Sequence, residues 1–232
     1  MYVSSAVRPS GRDMEVYSVR GMNIMWSDFL RKPSGVGASV NVYMFRPQRL
    51  WHAVKLLILE PSYFFARTAV LIYQMRHPDA PWLTSAAVSY LNDYLTQDMR
   101  GFEWGSGRST KWFAKRVGKL VSVEDDQSWF NRVRSDRLLN VDYRYAPTNE
   151  GCKSYFGQIT EFPDGFFDFV LVDGSCRDLC IRAVASKVRS GGLIVVDNAD
   201  SNIDVSPLAS LVRIPTDNGV WRTDIYVNEP KR

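Results

Sequence analysis

Two segments, 166–173 (FFDFVLVD) and 191–197 (GGLIVVD), constrain what this chain can fold into more than any other feature. Each is a short apolar run that closes on an aspartate. They are too short for independent helices and rich in β-branched and aromatic residues, which suits strands buried on both faces. Around them, 101–104, 119–124 and 141–146 also read as strands, while 106–117, 126–136 and 177–188 carry helical periodicity. Parallel neighbours need a crossover between them, usually a helix, so this alternation predicts a doubly wound, mostly parallel sheet with helices on both faces. Residues 211–227 read as a closing hairpin with Asp217-Asn218-Gly219 at its turn, residue types that accept positive φ.

At 232 residues the chain is long enough for one α/β domain with an N-terminal extension. The division expected is 1–83, irregular and then helical, followed by the main domain over 84–232. Residues 1–45 show no sustained periodicity, and the apolar run 49–75 is divided by Glu60-Pro61 and interrupted by Arg67. Neither half reaches the ~20 apolar residues of a membrane span, so two helices are expected there, one ending near Leu59 and one beginning at Pro61. Their apolar residues are expected to pack on the domain, with peripheral membrane contact as the alternative. A further helix is expected from Thr84 to Leu95.

The net charge of +4 comes from scattered single basic residues, and no nucleic-acid-binding signature is present. Three cysteines, Cys152, Cys176 and Cys180, form an odd set without framework spacing and are expected to be free thiols in a reducing compartment. With no apolar leader of signal-peptide length, a cytoplasmic location is expected.

Chemistry concentrates at the ends of the strands. Residues 103–110 (EWGSGRST) stand where a strand gives way to a helix; the glycines allow a ligand close to the backbone, and a helix N-terminus offers N–H groups to an anionic group. The next strand ends on Glu124-Asp125, where a carboxylate can accept the ribose hydroxyls of a nucleoside cofactor. A dinucleotide fingerprint would require a third glycine or alanine where Thr110 stands, and would give Glu103 no role.

In these residues the chain resembles the class I S-adenosylmethionine-dependent methyltransferases. Their acidic-x-Gly-x-Gly loop matches Glu103 to Gly107, their ribose acid matches Glu124, and their fourth- and fifth-strand motifs match 166–174 and 189–198. The resemblance covers about 100 residues in the right order and implies a seven-stranded Rossmann-like sheet preceded by a helical extension. It implies that S-adenosylmethionine is held by Glu103, Trp104, Gly105, Ser106, Gly107 and Ser109 with Glu124 and Asp125.

Asp173, Asp197 and Asn198 form a second set, two carboxylates and an amide at strand ends, of the oxygen type that suits Mg²⁺. The set is similar to the metal triad of catechol O-methyltransferases, except that Cys176 and then Arg177 stand where those enzymes place a lysine base. Two alternatives stay open: a divalent metal on the triad, or a metal-free site with Asp173 as base and Arg177 as anchor for an anionic substrate. His52, His77 and Asp200 are further candidate bases. The resemblance implies O-methylation of a small polar metabolite, sugar or glycan. An aminopropyl-type transferase on the same fold, or a cofactor-binding module without catalysis, are the alternatives.

Overall fold

The computed structural model describes residues 57–230. The expected lead-in over 1–45, most of the first expected helix and His52 lie outside these residues. Seven strands form one sheet: β1 (Arg100–Trp104), β2 (Lys119–Glu124), β3 (Val141–Tyr145), β4 (Phe167–Val172), β5 (Val188–Asp197), β6 (Leu211–Asp217) and β7 (Arg222–Pro230). Their order is β3-β2-β1-β4-β5-β7-β6. β1 to β5 run parallel, and β7 enters antiparallel beside β5 and pairs with β6 as the expected hairpin. At its turn Asn218 Oδ1 accepts from the Val220 and Trp221 N–H groups, and only Gly219 of the three expected residues takes positive φ. This is the doubly wound, mostly parallel sheet the strand pattern predicts.

Helices α1 (Pro61–Arg76), α2 (Ser85–Tyr94), α3 (Arg108–Ala114), α4 (Gln127–Arg134), α5 (Lys153–Gly157) and α6 (Arg177–Val184) flank it. Successive side chains of a strand face opposite ways, and β4 and β5 feed two cores accordingly. Val170, Val172, Ile194 and Val196 pack on one face with Tyr155, Cys180 and Ile181. Phe169, Leu171, Leu193 and Val195 pack on the other with Ala87, Leu91, Trp112 and Phe113. Both faces being dry is why these strands lack polar alternation.

Helix α1 starts at Pro61 as expected, because a proline at the first helical position forfeits an N–H that has no intrahelical partner. It packs on the domain through Tyr73, against the second core, but only part of its apolar surface is covered. Arg67 and Val70 are its buried residues, while Phe65, Ile72 and Met75 stay exposed. No helix among the described residues is long and apolar enough to cross a membrane. The loop from α1 to α2 reaches the carboxyl edge of the sheet: the Thr84 N–H donates to Thr223 Oγ1 at 3.1 Å, and that hydroxyl donates to Asp197 Oδ1 at 2.6 Å.

Candidate functional site at the carboxyl edge

The 103–110 loop lies where β1 passes into α3, and it is pinned from three directions. The Gly105 N–H donates to Val123 O at 2.8 Å, and Trp129 Nε1 donates to Ser106 O at 2.7 Å. Glu124 Oε2 accepts from the Ser106 N–H at 3.1 Å. Gly105 sits at φ +95°, and a Cβ there would stand 3.1 Å from Asp173 C, Asp173 O and Gly174 Cα. Any side chain there is strained and crowded, because the loop after β1 and the end of β4 lie backbone against backbone.

Glu103, expected at the cofactor, is fully buried beneath the loop. Ser122 Oγ donates to its Oε1 at 2.7 Å, Ser109 Oγ donates to its Oε2 at 2.8 Å, and Thr110 Oγ1 also donates to it. Thr110 Oγ1 in turn accepts from the Gly107 N–H at 2.8 Å, so the carboxylate shapes the loop through hydroxyls. Burial pushes Glu103 up to about 7 against the opposing hydroxyl hydrogen bonds. Ser122 was missed by sequence reasoning. It is the polar residue between Val121 and Val123 in β2, in register with Glu103, and that pairing was the available signal. Trp104 is also fully buried and donates from Nε1 to Tyr155 O at 3.0 Å, so it supports the loop from below.

Glu124 spends much of its capacity on the protein. Oε1 accepts from the N–H groups of Asp125 at 3.1 Å and Asp126 at 2.9 Å, beside the Ser106 contact on Oε2. A carboxylate has about four acceptor sites, which leaves room for one further donor, while half-buried Asp125 accepts from Ser175 Oγ at 3.0 Å on Oδ2 and keeps Oδ1 for another. Two ribose hydroxyls would thus be shared between the neighbours. Burial raises Glu124 to about 7, opposed by those backbone hydrogen bonds.

Across the edge, the structure brings Asp173, Asp197 and Asn198 together around Arg177. Arg177 Nη2 donates to Asp173 Oδ1 at 3.0 Å and Asp173 O at 3.0 Å, Nη1 donates to Asn198 Oδ1 at 3.2 Å and to Asp197 O, and Nε donates to Gly174 O at 2.9 Å. The Asp197 carboxyl is buried and turned to Thr223; burial, then the charge of Asp173, push it well above the ordinary carboxylate range. Burial also raises Asp173, with Arg177 opposing.

Of the three expected metal ligands, two side chains face one centre, and a guanidinium fills it. A divalent ion roughly 4 Å from that guanidinium would be repelled by about 8 kcal/mol at an effective dielectric of about 20, which cancels all that one carboxylate at the same distance would return. As arranged, this donor set does not fit Mg²⁺.

The cysteines depart from expectation. Cys152, in the segment after β3, and Cys176, at the N-cap of α6, form a disulfide, and Cys180 is a buried free thiol. The bond ties two loops of the carboxyl edge together. Disulfides persist in oxidising compartments, so one of the two grounds for a cytoplasmic location is removed.

Two further candidate bases, His77 and Asp200, have other partners. His77 stacks on Tyr73 with ring centroids 4.5 Å apart and lines a cavity of about 240 Å³ with Asn218 and Trp221, while its carbonyl accepts from Arg108. Asp200 Oδ1 accepts from the Arg222 N–H at 3.2 Å.

No family model matches the sequence. No curated protein matches it either. Similar solved structures include the YcgJ protein from Bacillus subtilis, at 17% identity and TM-score 0.36 over 44% of this chain and 45% of that one. A predicted O-methyltransferase from Agrobacterium tumefaciens is similar at 15% identity and TM-score 0.42, covering 59% of this chain and 78% of the other. A putative methyltransferase from Streptococcus mutans, solved in complex with SAH, is similar at 8% identity and TM-score 0.46, over 60% and 94% of the two chains. The chain thus spans under half the length of the first of these.

Proposed function

We propose that this chain is an S-adenosylmethionine-dependent methyltransferase that methylates a hydroxyl of a small polar molecule or glycan. The observation that carries the reading is the contact between the glycine loop and Asp173: Gly105 lies against Asp173 backbone atoms, and the Asp173 N–H donates to Trp104 O at 3.1 Å. A cofactor laid on that loop has the backbone at the end of β4, where Asp173 stands, as its immediate neighbour.

With their N–H groups bonded within the protein, Gly105, Ser106 and Gly107 would let the cofactor lie close against the backbone, and Glu124 and Asp125 would accept its hydroxyls. When bound, S-adenosylmethionine supplies a methyl group on a positively charged sulfur. Asp173 Oδ2, the oxygen not engaged by Arg177, accepts the proton of the acceptor hydroxyl. Its raised affinity for protons moves it towards working pH, where general bases are most effective. The Ser175–Asp125 hydrogen bond and the Cys152–Cys176 bond hold the loops in place, and alignment is the larger part of such a transfer.

The test is formation of S-adenosylhomocysteine with a panel of polyols, sugars and glycans. Asp173→Asn should lower turnover by about 10²–10⁴-fold while calorimetry shows the cofactor still binding as to wild type. Wild-type turnover in that variant, or no product above a heat-inactivated control across the panel, would overturn the reading.

A further inference from the structure

We propose that Arg177 is a positioning residue whose guanidinium takes the place of a divalent ion at the carboxyl edge, so that this site works without a metal on a neutral hydroxyl. The proposal rests on the methyl-transfer reading of the edge and goes beyond it in naming what organises the acceptor end.

An arginine side chain has five N–H donors and no acceptor. Five acceptors meet them here: Gly174 O, Asp173 O, Asp173 Oδ1, Asp197 O and Asn198 Oδ1. The guanidinium is saturated by the protein, so it has no donor left for an anionic substrate, and the anchoring role expected of it from the sequence has no group to perform it. A planar fork matched to fixed oxygens holds those oxygens in turn. Here it joins the end of β4 to the end of β5, fixes Asp173 by one oxygen, and leaves Oδ2 directed by that constraint.

Two backbone features support a built arrangement. Cys176, immediately before Arg177, and Asn198, one of its acceptors, both occupy the left-handed region at φ +51°. Such conformations are uncommon outside glycine. They bring the arginine and the amide to the same point, and the disulfide anchors Cys176 from the other side. What remains open towards an acceptor is an oxygen of Asp173, which receives a proton and repels an anion. The reacting end of the substrate is therefore a neutral O–H. In the transfer, the carbon–sulfur bond of the cofactor breaks as the carbon–oxygen bond forms, and the hydroxyl proton passes to Asp173 Oδ2.

Two measurements test this. The first titrates the wild-type protein alone with Mn²⁺ by electron paramagnetic resonance: no stoichiometric binding is expected up to millimolar ion, and one tightly bound ion lost in Asn198→Ala would overturn the proposal. The second compares Arg177→Ala and Arg177→Lys with wild type. Turnover should fall about a hundredfold, the effect of a misplaced reacting group, with cofactor affinity retained and with partial rescue of Arg177→Ala by guanidinium at tens of millimolar. Unchanged turnover, or rescue by Mg²⁺ in place of guanidinium, would overturn it. If Arg177→Ala does not fold, the lysine variant and the Mn²⁺ titration still decide. Wild-type protein that binds no S-adenosylmethionine would instead refute the functional reading, whatever the metal result.

Discussion

Gly105→Val is the perturbation whose magnitude the structure defines best. The residue sits at φ +95°, and a β-branched side chain held there costs about 1–3 kcal/mol. Its Cβ would also meet three backbone atoms at 3.1 Å, and neither side can yield cheaply. The Asp173 N–H is bonded to Trp104 O and the Gly105 N–H to Val123 O, so relief would break strand-end hydrogen bonds. Overpacking of this kind adds about 1–3 kcal/mol. A total near 4 kcal/mol lowers Tm by roughly 8–16 °C in a chain of this size. Gly151→Val is the internal control, since Gly151 has φ +70° but nothing within 4 Å of its Cβ, and so isolates the backbone term. Urea unfolding of both variants, at unchanged m-values, should show Gly105→Val the worse by about 1–3 kcal/mol. Equal losses would refute the close approach of the two loops, and with it the geometry of the proposed site.

Further outcomes follow from the buried carboxyls and the disulfide. Glu103 and Glu124 are raised from 4.5 to about 7, so the folded state holds more protons than the unfolded state between those values. Stability from these groups is full below pH ~4.5, falls as pH rises through ~7, and then levels; at ~1.4 kcal/mol per pKa unit each contributes on the order of 3 kcal/mol of the change. Glu103→Gln should flatten part of that slope and stabilise the protein at pH 8, whereas a slope identical to wild type would contradict the buried ionisation. The Cys152–Cys176 bond closes a loop of separation 24, which chain entropy rates at about 3.5 kcal/mol. Cys152→Ser should lose stability on that scale in denaturant, and dithiothreitol should then have no further effect; a full dithiothreitol effect in the variant would contradict the pairing.

The strands were legible because burial on both faces leaves a local mark: 169–172 in β4 and 193–196 in β5 are unbroken apolar runs, and an aspartate, Asp173 or Asp197, follows each at the edge. The glycine loop was legible for a related reason, since Gly105 answers a positive φ and a close backbone contact that strain any other residue type. Glu103 was recognised but its place was not. Whether a strand-end acid faces ligand or core depends on partners in other elements, here Ser122 on β2 and Ser109 and Thr110 on α3. Arg177 was likewise recognised, but its role was hidden more deeply, because three of its five acceptors are backbone carbonyls, which every residue has. The disulfide left no spacing signature, and an odd cysteine count pointed away from it. Helix α1 misled for a physical reason as well. Arg67 was read as a break in an apolar face, yet it is buried while Phe65 and Ile72 are exposed.

Calorimetric titration of the wild-type protein with S-adenosylmethionine decides whether the carboxyl edge, with the glycine loop against Asp173, is a cofactor site: saturable binding of one molecule per chain is expected, lost in Gly105→Val at a temperature where that variant remains folded. A titration without heat on the wild-type protein, repeated with S-adenosylhomocysteine, would contradict it.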